Sequence, residues 1–156
     1  MKTPPSPDAA PGEAQPLALR LWAALARAYG AVGAQAADDM ARHELTLAEF
    51  GVLEALFHGG ALAIGDLQRR VFVSSGGITY LVDRLQRRGF VERRPLANDR
   101  RARIAALTPE GEALVRRILP EHAARIKAAL SGLGKKEKRE ALRLLRVIDR
   151  REQDES

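Results

Sequence analysis

Between Ser74 and Arg101 the chain concentrates the residues whose types and spacing suit molecular recognition. Ser74, Ser75, Thr79 and Tyr80 supply hydroxyls, Arg84, Arg87, Arg100 and Arg101 supply fixed positive charge, and Gly76-Gly77 supplies bare backbone. The set suits binding, not bond-making. A guanidinium keeps its proton at any physiological pH, so it serves as a donor and a charge, not as a base. No nucleophile–base pair can be assembled, so no catalytic residue is assigned. His43, His58 and His122 lie far apart with no metal-ligand spacing, so they read as satisfied or exposed histidines, and no metal or cofactor is expected. Guanidiniums and hydroxyls together match phosphates and base edges.

These residues need elements to present them. Taken as a helix from Ser75 to Gly89 at about 100° per residue, Ile78, Leu81, Val82 and Leu85 form one apolar stripe. Gly76, Tyr80, Asp83 and Arg87 face the other way, with Arg84 at the edge. A helix lying in the major groove needs this division, one side held by its own domain and the other turned to DNA. Gly76 and Gly77 open the helix although glycine is a poor helix former. Either they let the backbone approach a phosphate at the positive helix end, or they mark a loose start.

Charge follows the same segment. From Asp66 to Arg103 there are ten arginines and four acids, an excess of +6 that equals the net charge of the whole chain. A charge run is commonly a solvated face, but concentration on one small unit favours a polyanionic partner. Nucleic acid leads, with an anionic membrane surface second. Lys135, Lys136 and Lys138 read as solvated.

The flanking elements complete the scheme. Residues 1–15 carry four prolines and little apolar content and read as a disordered arm. Pro16 to Arg42 reads as a long helix, with Gly30 and Gly33 suggesting close helix approach. Thr46-x-x-Glu49 is a capping box opening a second helix that ends at Gly59-Gly60. A short helix spans Ile64 to Arg70, and Ser74 caps the next. Phe90–Arg94 and Arg103–Leu107 read as the strands of a hairpin. Its tip, Asn98-Asp99-Arg100-Arg101, can place an arginine in a narrow minor groove with Asp99 holding Arg101, or be a polar turn without that role. Thr108-Pro109-Glu110 starts a helix expected to bend or break near Pro120, and Lys135 to Arg150 forms the last. The expected fold is mainly α with a small two-stranded β-wing: a winged helix-turn-helix over 46–108, flanked by dimerisation helices at 16–45 and 109–151, with 152–156 as a tail.

At 156 residues, 46% hydrophobic and 29% charged, the chain suits one domain with one core. The absence of cysteine excludes disulfides and thiol redox sensing. No apolar run is long enough to span a membrane and no signal-peptide layout opens the chain, so a cytoplasmic location is expected.

The run Val73 to Arg93 resembles the recognition helix and first wing strand of the MarR family of transcription regulators. Asn98-Asp99-Arg100-Arg101-Ala102 and Leu107-Thr108-Pro109-Glu110-Gly111 are similar to its wing signature, Asp-x-Arg, a strand, then Leu-Thr-x-x-Gly. Thr46-Leu47-Ala48-Glu49-Phe50 matches the usual opening of the second helix. The resemblance implies a homodimer reading a pseudo-palindromic double-stranded operator, usually as a repressor, with a small phenolic, aromatic or anionic effector between the dimer helices and the DNA-binding unit. By position, Ser74, Ser75, Gly77, Thr79, Arg84 and Arg87 match recognition-helix contacts, and Asp99 and Arg101 match the wing pair. Tyr80 stands where many members carry arginine, and Gly76-Gly77 where many carry Ser-Thr. Trp22 is a candidate for lining an effector pocket, against a simpler role in a dimer core. The competing function is a winged-helix module that docks on protein or RNA.

Overall fold

The computed structural model describes residues 16–71, 73–96 and 99–154, and only the backbone at 75, 96, 99–102 and 149–154. The expected arm at 1–15 and the turn residue Asn98 lie outside the described residues.

Capping chemistry sets the helix starts. Thr46 Oγ1 accepts from the Glu49 N–H at 3.1 Å, and Glu49 Oε2 accepts from the Thr46 N–H at 2.7 Å, which opens helix α2 (Leu47–Gly59). Ser74 Oγ accepts from the Gly77 N–H at 3.1 Å and opens α4 (Ser75–Arg87). Thr108 Oγ1 accepts from the Gly111 N–H at 3.0 Å and opens α5 (Pro109–Ala129), with proline in the first turn. The remaining helices are α1 (Leu17–Ala41), α3 (Ile64–Val71) and α6 (Lys135–Asp154).

The core is one cluster centred on α2. Phe50, Leu53 and Leu56 pack with Leu67 of α3, Ile78, Val82 and Leu85 of α4, and Val115 and Ile118 of α5. The apolar stripe read along α4 is the face that is buried. Met40 and Leu45 bring the end of α1 into the same cluster. There the chain turns through Glu44, which adopts a left-handed φ of 57° while the Leu45 N–H reaches back to the Met40 carbonyl at 3.1 Å.

The wing is a hairpin of β2 (Val91–Leu96) and β3 (Asp99–Leu107), longer than expected from the sequence. Register runs from Val91 opposite Leu107 to Pro95 opposite Arg103, with an irregularity between Pro95 and Leu96. A third strand, β1 (Leu62–Ala63), pairs antiparallel with the other edge of β3, giving the order β1-β3-β2. Two residues carry no alternation, so β1 exists only because β3 offers it an edge.

Helix α5 continues through Pro120 without the expected break. The apolar residues Val115 and Ile118 before the proline, and His122 and Arg125 after it, anchor both halves to α1 and α2. Asp39 of α1, 1% exposed, meets His122 Nδ1 at 3.0 Å and Arg125 Nε at 2.7 Å, while the His122 ring lies edge-on to Phe50. These contacts clamp α1, α2 and α5 together. Helix α6 runs to Asp154, past the expected end at Arg150, and stands almost clear of the rest of the chain. Its Leu142, Leu145 and Ile148 are exposed, as are Leu17, Leu21 and Trp22 of α1.

Candidate nucleic-acid interface

The start of α4 separates the two glycines read as a pair. A Cβ on Gly77 would lie 3.0 Å from Ser74 Oγ, a tight contact beside the cap. Gly76 has open space where a side chain would be, and its bare backbone faces outward. The Ser74 hydroxyl is exposed and already accepts the Gly77 N–H, leaving its proton for another acceptor. Thr79 is exposed on the next turn.

Further along, Tyr80 is 56% exposed and Arg87 is exposed; with Asp83 and Gln86 they line a shallow groove on the outward face of α4. Arg93 of β2 pairs with Asp83 and donates to Gln86 Oε1 at 2.9 Å, tying the wing to the helix beside it. The positively curved exit from α4 goes through Gly89 at φ 78°, which only glycine adopts without strain. The Phe90 carbonyl then accepts from the Thr108 N–H at 3.1 Å, and Thr108 Oγ1 donates to the Gly89 carbonyl at 2.6 Å. One threonine therefore caps α5 and joins it to the root of the wing.

Arg84 does not stand on the outward face with Arg87. Its Nε lies 2.9 Å from Oε1 of Glu49, a carboxylate buried at the start of α2. A hydrogen bond with Tyr80 and then the Glu49 charge hold the Arg84 guanidinium above its ordinary value. Arg88 lies 3.6 Å from the same Oε1, donates to the Glu44 carbonyl at 2.8 Å and covers the Phe90 ring. The sequence marked Glu49 only as half of a capping box; its pairing with α4 had no sequence signal, because those partners lie a whole helix away. Asp99, Arg100 and Arg101 fall on the first residues of β3, at the tip of the wing, and their side chains are outside the described set. The side chain of Ser75 is likewise outside it.

A groove of about 640 Å³ opens between α1 and the α2–α3 pair. Tyr29, Ala48, Gly51, Glu54, His58 and Arg70 are among its lining. Trp22 does not line it and stands 68% exposed on α1. No helix among the described residues is long and apolar enough to cross a membrane.

A three-helix unit that exposes one face of its last helix, with an antiparallel wing docked beside it, defines a winged helix-turn-helix protein. Comparison with known proteins takes this further. A MarR family model matches residues 43–102. The uncharacterized HTH-type transcriptional regulator YkoM of Bacillus subtilis (strain 168) is 35% identical over 129 residues, covering 83% of this chain and 84% of that protein. MhqR of the same strain, also an HTH-type transcriptional regulator, is 34% identical over 119 residues, covering 76% and 82%. Among solved structures, Bordetella bronchiseptica BpsR, whose DNA binding is regulated by 6-hydroxynicotinic acid, superposes with a TM-score of 0.76 at 29% identity, covering 83% of this chain and 98% of that one. The chain belongs to the MarR family. It is a DNA-binding transcriptional regulator, and the protein- or RNA-docking alternative is not favoured.

Proposed function

We propose that the chain works in the cytoplasm as a homodimeric repressor that grips a pseudo-palindromic operator and releases it when a small aromatic or anionic molecule binds. The observation that carries the reading is the outward face of α4. Gly76, Thr79, Tyr80 and Arg87 stand exposed on a helix whose opposite side is locked in the core, with the wing fixed next to it by Arg93. Ser74, Ser75, Gly77, Asp99, Arg100 and Arg101 extend that surface along the helix start and the wing tip. Two such surfaces related by twofold symmetry meet successive major grooves, about 34 Å apart. The uncovered apolar residues of α1 and α6 supply the twofold contact, with Trp22 inside it. The groove lined by Tyr29, His58 and Arg70 is the candidate effector site: an aromatic ring to stack, one guanidinium, an imidazole, the Glu54 carboxylate and apolar walls, in a volume suited to a small ligand. We assign the chain no catalytic activity.

Binding of the full chain to duplex DNA flanking its own gene, titrated with salt, tests this. The expected result is a dimer bound at nanomolar to micromolar protein, with affinity falling steeply as salt rises and falling again on addition of 6-hydroxynicotinic acid or a related aromatic acid. Absence of any salt-sensitive complex refutes the DNA reading, and tighter binding of structured RNA or an acidic protein in competition favours the docking-module alternative.

A further inference from the structure

Glu49 is 0% exposed, so its charge is held away from water and has to be met by protein cations. Its capping role uses only Oε2, which accepts the Thr46 N–H. A neutral glutamine fills that role equally well. The other oxygen, Oε1, serves nothing in α2. It faces Arg84 at 2.9 Å and Arg88 at 3.6 Å, both at the end of α4. The N–H groups are not aligned with it as hydrogen bonds, so the contact is a charge contact. Tyr80 stands one turn back from Arg84 on the same side of the helix, close enough that its hydroxyl raises the Arg84 guanidinium above its ordinary value. Tyr80 is 56% exposed on the surface turned to DNA. Glu49, Arg84 and Tyr80 thus stand in line from the interior to that surface.

We propose that Glu49 is a positioning residue for sequence readout: by holding Arg84 it fixes where the Tyr80 ring and hydroxyl stand against the bases. Part of the sequence preference is then set by a residue that DNA never touches. Arg84 acts as the strut between them through its Nε, while its side chain stays 41% exposed beside the surface turned to DNA. The inference rests on the DNA-binding reading above.

The test is selection from a library of randomised duplexes by the full chain and by three variants: Glu49→Gln, Tyr80→Phe and Arg84→Met. Glutamine keeps an oxygen for the Thr46 N–H and removes the charge that holds Arg84. Tyr80→Phe keeps the ring and removes the hydroxyl that meets Arg84. The expected result is that all three change preference at the same base pairs, by threefold or more, and that Glu49→Gln combined with Tyr80→Phe adds no further change. A Glu49 of purely structural importance would lower the melting temperature and weaken all sequences alike while leaving their ranking intact, and that result overturns the proposal. If Glu49→Gln does not fold, Arg84→Met, whose side chain is already 41% exposed, decides the matter against Tyr80→Phe. Preference changes at different base pairs, or none, overturn it. Failure of the unaltered chain to select any sequence removes the DNA-binding reading and this inference together, and is distinct from normal selection that the variants leave unchanged.

Discussion

Gly111→Ala reverses the usual sign of a glycine-to-alanine change in a helix. At an open helical site the substitution stabilises by up to about 1 kcal/mol. Gly111 lies in the first turn of α5, where an added Cβ would come within 2.9 Å of the Phe90 carbonyl carbon, nearer still to its oxygen, and 3.2 Å from its Cα. All three are backbone atoms at the root of the wing, so no side chain can swing aside. Relief requires α5 to lift by about 1 Å to reach ordinary carbon contact distances. That movement strains the two hydrogen bonds that close the junction, Thr108 N–H to Phe90 at 3.1 Å and Thr108 Oγ1 to Gly89 at 2.6 Å. Losing both costs about 2 kcal/mol, and overpacking costs about 1–3 kcal/mol more. Set against the helix-propensity gain, the net loss is about 2–4 kcal/mol, or about 5–15 °C in melting temperature. Urea unfolding followed by circular dichroism, at one fixed protomer concentration, measures it. Gly65→Ala is the control, since there a Cβ meets only the flexible end of Arg69 at 3.9 Å. If Gly111→Ala matches Gly65→Ala or exceeds the unaltered chain in stability, the close approach of α5 to Phe90 is wrong.

Three further outcomes are expected. Arg87→Ala, which removes an exposed guanidinium with no ion pair among the described residues, lowers the slope of log affinity against log salt by about 0.9 per protomer, read by fluorescence anisotropy across a salt series. Asp39→Ala strips the buried partner from Arg125 and His122 and destabilises the chain by about 3 kcal/mol in urea unfolding; a change under about 1 kcal/mol would show that the α1–α5 clamp is ornamental. Trp22, the single tryptophan and 68% exposed in one chain, shifts its emission to longer wavelength as the protein is diluted through dimer dissociation; an emission maximum independent of concentration, alongside a dimer in sedimentation, places it outside the interface.

Local signals fixed in the sequence the things that depend on near neighbours. The capping residues Thr46, Ser74 and Thr108 marked the helix starts, and the buried stripe of α4 was written in the spacing of Ile78, Leu81, Val82 and Leu85, because helical periodicity turns sequence distance directly into direction. The exposed face opposite, with Tyr80 and Arg87, followed from the same arithmetic. What remained hidden was decided by partners far along the chain. Strand β1 needed the free edge of β3, and the continuity of α5 through Pro120 needed anchors on α1 and α2. Above all, the sequence set Arg87 on the outward face and Arg84 only at its edge, yet gave no sign that Arg84 turns back to a carboxylate of α2 while Arg87 stays exposed with no ion pair among the described residues. A helical wheel gives the direction of a side chain but not the charge it will meet there, and only packing α2 against α4 set a buried acid beneath one arginine and open water beneath the other.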